Sequence, residues 1–298
     1  MSSFENKVAI ITGGGDGIGR AEALALAASG AAVVVNDVVG SVADAVVAEI
    51  VAAGGRAVAH CGDVSEWKTT ADLVAQALDE FGRLDVVVAN AGIVRRGPIA
   101  LVTEKDFDDQ LGVLFKGTFG LMRHAAAHWE KEHRAGNRAH RAIVATSSSA
   151  GVPGGVREFA VYGAMKSGIA ALTLGAALEF RDFGVTVNAI LPHAATRMDA
   201  SAKGLPDPGR FDAGDLSSPE NPFHVANVVS YLASARASWL SGQVFEITGT
   251  EVRRWLPWSP GAVVSSDVGP WTAEALDRAM ATVVYGTLPG GRVIPLER

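Results

Sequence analysis

The chain has 298 residues, 48% of them apolar, enough to bury a substantial core. Its formal net charge is −6 and its lysines and arginines form no block, so the expected partner is a small soluble ligand, with no nucleic acid and no membrane insertion. Cys61 is the only cysteine, which excludes an internal disulfide and a cysteine-built metal site and fits a reducing, cytoplasmic setting.

From the N-terminus, where no charged leader precedes an apolar run and no cleaved signal is expected, short β-branched runs alternate with Ala/Leu-rich stretches of helical period. Residues 7–12 (KVAIIT) predict a strand, 19–30 a helix, 31–37 (AAVVVND) a strand and 42–55 a helix. Residues 56–64 lead into a helix over 67–81, followed by a strand at 84–92, one long helix over 104–132 and a strand at 141–151. A helix over 162–180, a strand at 185–192, a helix over 222–234 and a strand at 241–249 complete the alternation. Continuous apolar strands joined by helices predict an α/β fold, a doubly wound parallel sheet of the Rossmann type covered on both faces.

Residues 1–250 are assigned to this domain, and 202–222, rich in Pro, Gly and Asp, read as a mobile loop near the carboxyl edge of the sheet. Residues 251–298 form a C-terminal extension whose three tryptophans and amphipathic stretch predict packing on the domain or on a neighbouring subunit. The longest uncharged apolar stretch, 167–178, is too short to span a bilayer.

The segment TGGGDGIG (12–19) lies between the first strand and the first helix. Close backbone approach and a helix N-terminus suit a pyrophosphate there. Asp37 ends the second strand, where a carboxylate accepts hydrogen bonds from adenosine ribose hydroxyls and repels a 2′-phosphate. Asp16 stands where a basic residue would favour NADP, so NAD is the expected cofactor. Tyr162 and Lys166 are four apart on one helical face, and an ammonium near a phenol lowers its pKa from about 10, as proton transfer to an alcohol or ketone requires. Hydroxyls in ATSSSAG, at a strand end, are candidates to hold the substrate oxygen.

Together these motifs resemble the short-chain dehydrogenase/reductase family. Its T-G-x-x-x-G-x-G matches Thr12 to Gly19, its acidic residue matches Asp37, its D-V adenine contact matches Asp63 and Val64, and its N-A-G matches Asn90 to Gly92. Its catalytic serine falls on Ser148, with Ser147 and Ser149 as rivals, and its Y-x-x-x-K falls on Tyr162 and Lys166. The resemblance implies hydride exchange at a nicotinamide, with Tyr162 as acid/base, Ser148 holding the reacting oxygen and Lys166 binding the nicotinamide ribose. It implies cofactor contacts at Gly13, Asp16, Gly17, Ile18, Gly19, Asp37, Asp63, Val64, Asn90, Gly92, Tyr162, Lys166 and Thr196, a substrate loop over about 198–222, and a homotetramer, for which Ala/Gly-rich helices around 110–127 and 162–180 would allow close contact.

Departures from the family pattern matter as much. Leu114 stands where the family places an asparagine that holds water for a proton relay, and leucine offers neither donor nor acceptor. His193 replaces the usual glycine after proline near the nicotinamide, where a neutral hydrogen-bonding role is expected, and Thr196 sits one place early for a carboxamide contact. His124 and His128 share a helical face without the carboxylate partners of a metal site, and no metal is expected. Finer similarity to (3R)-hydroxyacyl-CoA dehydrogenases of the family implies a lipophilic substrate, hydroxyacyl-thioester or steroid-like. The alternatives are an NADPH-dependent 3-oxoacyl-thioester reductase and a dinucleotide-binding redox sensor of weak catalytic power.

Overall fold

The computed structural model describes residues 4–152, 155–256, 263 and 269–285. Eight strands form one sheet, β1 (Val8–Thr12), β2 (Ala32–Asp37), β3 (Arg56–Cys61), β4 (Val86–Ala89), β5 (Arg141–Thr146), β6 (Val185–His193), β7 (Gln243–Thr248) and β8 (Glu251–Trp255). Their spatial order is β3-β2-β1-β4-β5-β6-β7-β8, parallel throughout except for β8, which runs antiparallel to β7. The connecting helices are α1 (Gly17–Ala28), α2 (Gly40–Ala52), α3 (Trp67–Phe81), α4 (Glu104–Gln110), α5 (Gly117–Arg134), α6 (Ala160–Glu179), α7 (Arg197–Lys203) and α8 (Phe223–Ala233).

The period-2 geometry of a strand explains why the central strands are apolar at successive positions. Ile11, Val35, Val88, Val144 and Ile190 point to one face, where Leu26 of α1, Val46 of α2 and Val229 of α8 cover them. Ile10, Val34, Val87, Ile143 and Val187 point to the other, under Leu73 of α3, Leu121 and Trp129 of α5 and Ala177 of α6. Each such side chain, once buried, contributes about 1.5–3 kcal/mol, so both layers depend on unbroken apolar runs. Trp129 fills its layer without a lost polar group, because its indole N–H donates to the Leu84 carbonyl at 2.8 Å. Among the described residues α6 is long and apolar enough to cross a bilayer, yet half of that stretch is buried within the protein.

Three features differ from the sequence reading. The single helix expected over 104–132 is interrupted by a π turn at Leu111–Lys116, in which the Gly117 amide bonds the Gly112 carbonyl five residues back. That wider turn carries Leu114 into a cluster with Ala145, Tyr162, Met165 and Ile169, a packing demand that a periodicity count does not register. The second difference is β8. Four of its five residues are exposed, so it shows no apolar alternation; backbone pairing to β7 through the turn at Gly249 (φ 55°) makes it a strand. A first compact unit, β8 included, runs over residues 1–255, and a second over 256–298. In that unit α9 (Ala273–Tyr285) is capped by the Thr272 hydroxyl, which accepts from the Ala275 amide, and much of the remaining extension, including Trp258, lies outside the described residues.

The third difference is the stretch 202–222, whose first two residues belong to α7; its remainder bonds to α1, to α2 and within itself. Arg210 pairs with Glu49 at 2.7 Å, Arg20 of α1 donates to the Phe211 carbonyl at 3.3 Å, and the Asn221 amide ties the Asp212 and Asp215 carbonyls at 2.9 and 2.6 Å.

Candidate active site

Strand order reverses between β1 and β4, which opens a crevice beyond their carboxyl ends, where folds of this kind bind ligands. The glycine-rich turn lies at that point. Gly13 adopts φ 60°, and a Cβ on Gly19 would stand 2.1 Å from the Gly13 carbonyl, so the first turn of α1 presses directly on the loop. Thr12 and Asn90 brace it from the side. The Thr12 hydroxyl accepts from the Asn90 and Ala91 amides, both at 3.1 Å, and the Asn90 side chain donates to the Thr12 and Gly13 carbonyls at 3.1 and 3.3 Å. The N-A-G segment that follows β4 is thus built into the wall of the loop. A Cβ on Gly92 would stand 3.9 Å from Lys166 Nζ and 3.3 Å from Leu114, which places the end of that segment against the Tyr162 and Lys166 helix.

A cleft of about 430 Å³ runs along this wall, lined by Gly13, Asp37, Asp63, Val64, Ala91 and Gly92 among others. One oxygen of the half-buried Asp37 carboxylate accepts from the Gly15 amide at 3.2 Å and the other from the Val39 amide at 3.1 Å, so the carboxylate faces the loop with lone pairs to spare. Asp63 accepts from the Ser65 amide at 2.8 Å, and Val64 packs against Gly117 of α5. A cleft lined by small residues and by the Asp37 and Asp63 carboxylates would suit an adenine dinucleotide.

At the mouth of α1, Asp16 caps the helix by accepting from the Gly17 amide at 2.9 Å, and its other oxygen pairs with Arg197 at 3.0 Å. Thr196 is nearly buried, its methyl 3.1 Å from where a Cβ on Gly17 would be. The structure thus brings Thr196 to the mouth of α1, with Ile18 and Gly19 in the adjoining turn. Arg197 was invisible as a site residue; its only signal was adjacency to Thr196.

Tyr162 and Lys166 share the inner face of α6. Both are buried, with the ammonium 5.8 Å from the centre of the Tyr162 ring. Lys166 Nζ donates to the Thr146 carbonyl at 2.6 Å. Burial pulls this ammonium down to about 7, so it titrates near neutrality. Of the three serines, Ser147 is fully buried and commits its hydroxyl to the Lys166 carbonyl at 2.6 Å, which pins α6 to β5. Ser148 is half-buried and accepts from the Ala150 amide at 3.1 Å; Ser149 is also half-buried. Among the described residues the Ser148 hydroxyl donates to no acceptor.

Leu114 is fully buried and offers no polar atom to this site. His193, exposed at the carboxyl end of β6, bonds Glu246 at 3.0 Å, and that carboxylate also accepts from Arg253 and Trp255 at 3.0 Å each. These donors hold Glu246 below the usual carboxylate range against the opposing effect of burial, and β8 supplies two of them. His124 turns to the Thr70 hydroxyl at 3.2 Å, and His128 lies 3.3 Å from Glu132.

With this geometry in view, similarity to known proteins is informative. A profile for the short chain dehydrogenase family matches residues 7–204. Hydroxyacyl-CoA dehydrogenase ChsB1 of Mycobacterium tuberculosis is 38% identical over 296 residues, 97% of this chain and 92% of that protein. Peroxisomal multifunctional enzyme type 2 of Mus musculus is 36% identical over 92% of this chain, which spans only 36% of that longer protein. A crystal structure of a short chain dehydrogenase from Mycobacterium avium superposes with a TM-score of 0.88 at 40% identity, covering 96% of this chain and 97% of that one.

Proposed function

Because the chain belongs to the short-chain dehydrogenase family, oxidoreductases that bind a nicotinamide dinucleotide, we propose that it uses NAD to interconvert a secondary alcohol and a ketone on a lipophilic substrate of the hydroxyacyl-thioester kind. The observation that carries the reading is the buried pair on α6, a phenol and an ammonium one turn apart beside the Gly92 end of the dinucleotide cleft.

The glycine-rich turn and the N-terminus of α1 would hold the pyrophosphate, Asp37 the adenosine ribose, Asp63 and Val64 the adenine side, and Lys166 the second ribose. When bound, the dinucleotide supplies the hydride acceptor or donor. In the alcohol-to-ketone direction Tyr162 takes the hydroxyl proton and Ser148 donates a hydrogen bond to the same oxygen, where charge develops; the reverse direction returns the proton from Tyr162. Lys166 in its charged form favours the phenolate, and ribose hydroxyls accepting from Nζ would favour that charged form. Asp37 disfavours a 2′-phosphate through like charge.

Oxidation assays over secondary alcohols, steroids and hydroxyacyl thioesters, with Tyr162→Phe as control, test the reading. Loss of turnover in Tyr162→Phe supports it, and turnover untouched by that change refutes it. A second reading, a dinucleotide-binding protein without turnover, draws on Leu114, which removes the expected relay group; no turnover on any substrate would favour it. We extend the proposal to a homotetramer, since Ala164, Ala171 and Gly175 leave a small-residue face exposed on α6. Sedimentation showing a monomer would remove that part.

A further inference from the structure

Arg96 stands on the loop after β4 and reaches across to the segment that enters α6. Its Nη2 lies 2.8 Å from Glu158 Oε2, and its guanidinium carbon sits 5.5 Å from the centre of the Phe159 ring. The neighbouring Gly97 amide donates to the Glu158 carbonyl at 2.9 Å, so the two loops are joined by backbone as well as side chain. Phe159 is the residue from which α6 starts, and its ring meets Tyr162 edge-on, with centroids 6.0 Å apart and planes at 75°.

Glu158 itself has φ 68°, the left-handed region, which an L-residue other than Asn, Asp or Gly adopts at a cost. Glycine would make this turn without strain. A glutamate here brings something glycine lacks, a carboxylate that anchors Arg96, and strained residues that persist beside a reactive group are candidates for a role in its geometry. Arg96 is about half exposed, so contacts, these among them, hold its guanidinium more than burial does.

We propose that Arg96 is a positioning residue: tied to Glu158 and stacked on Phe159, it fixes the Phe159 ring against Tyr162 and thereby sets where the phenol stands relative to Lys166. The inference rests on the reading of Tyr162 as acid/base, and it assigns the β4 loop a part in catalysis without contact to the reacting atoms. Removing the guanidinium frees Phe159 to swing, and the phenol then samples orientations farther from the ammonium.

The test uses Arg96→Ala, Arg96→Lys, Glu158→Gln and the Arg96→Ala/Glu158→Gln pair, with two readouts. One is steady-state turnover of the best substrate from the panel above. The other needs no turnover: tyrosinate absorbance against pH, where subtraction of Tyr162→Phe isolates Tyr162 from Tyr231 and Tyr285. Arg96→Ala is expected to lower kcat about tenfold with KM within about twofold, and to raise the apparent pKa of Tyr162 in both the pH profile and the titration. Glu158→Gln should act likewise, the double variant should add little to either single change, and Arg96→Lys should recover part of the loss. A raised KM with kcat intact would make Arg96 a substrate contact, and a lowered melting temperature with kcat and titration unchanged would make it a plain brace; either overturns the inference. Full turnover in Tyr162→Phe would sink the acid/base reading while the titration still judges Arg96. If Arg96→Ala does not fold, Glu158→Gln carries both readouts.

Discussion

Glu22 lies in α1, one turn beyond Gly19, and is fully buried with neither carboxyl oxygen hydrogen-bonded. Desolvation raises its pKa well above the usual carboxylate range, so within the fold it is a neutral acid. A buried polar group without a partner costs about 1–3 kcal/mol. Glu22→Met keeps an unbranched chain of similar size, so the variant should gain about 1–3 kcal/mol below about pH 4.5 and more above it, with the midpoint rising roughly 2–4 °C for each kcal/mol in a chain of this length. The sign with pH follows from linkage. Folded Glu22 keeps a proton that the unfolded chain releases above about 4.5, so its contribution is fullest below that pH and is lost as pH rises through the folded pKa, by up to about 1.4 kcal/mol per unit. Lys166 runs the other way but higher. Pulled to about 7 in the fold and titrating at 10.5 when unfolded, it makes stability rise with pH between those values. The Glu22 contribution starts to fall just above about pH 4.5, well below the range in which Lys166 titrates, so urea denaturation upward from that pH separates the two. The gap between variant and parent should widen with pH. A constant gap, or a variant less stable than the parent, would refute the account of Glu22 as a buried, unpaired acid.

Three further changes probe the cleft. Asp37→Ser removes the like charge facing a 2′-phosphate and the partner of the Gly15 amide, so NADPH should bind about tenfold tighter and NADH more weakly by fluorescence titration. Gly19→Ala drives a methyl to within 2.1 Å of the Gly13 carbonyl and 2.6 Å of Asn90 Nδ2, so the loop must shift; a loss in NADH affinity of more than about tenfold is expected, and unchanged affinity would mean the loop is not the pyrophosphate site. Leu114→Asn exchanges a fully buried apolar side chain for an amide among Tyr162, Met165 and Ile169, which should cost about 3–5 kcal/mol in denaturant unfolding, whereas Leu114→Met should cost under about 1.5.

The architecture was legible because its causes are local. Apolar strands such as Val33–Val35 and Ile143–Ala145 can satisfy their side chains only when covered on both faces, and the alternation with helices leaves few ways to do that. The glycine cluster and the Tyr162 and Lys166 spacing were legible for the same reason, since backbone approach and helical register are written in adjacent residues. The break at Leu111–Lys116 was not legible, because Leu114 turns inward to a cluster built from β5 and α6, both later in the chain. Nor was β8, whose exposed side chains carry no pattern and whose only cause is the free edge of β7.

The sequence alone determined the layered fold, the glycine-rich turn at the start of α1 and the one-turn spacing of Tyr162 and Lys166, because each depends on period and spacing within one element. Only the tertiary structure decided which of those residues are spent and which are free. Ser147 is consumed by the Lys166 carbonyl, the Lys166 charge is eroded by burial, Asp16 is engaged by Arg197, and Tyr162 is backed by a ring that Arg96 holds. Those outcomes turn on desolvation and on partners such as Lys166 for Ser147, 19 positions away, and Arg197 for Asp16, 181 positions away, which no local pattern encodes.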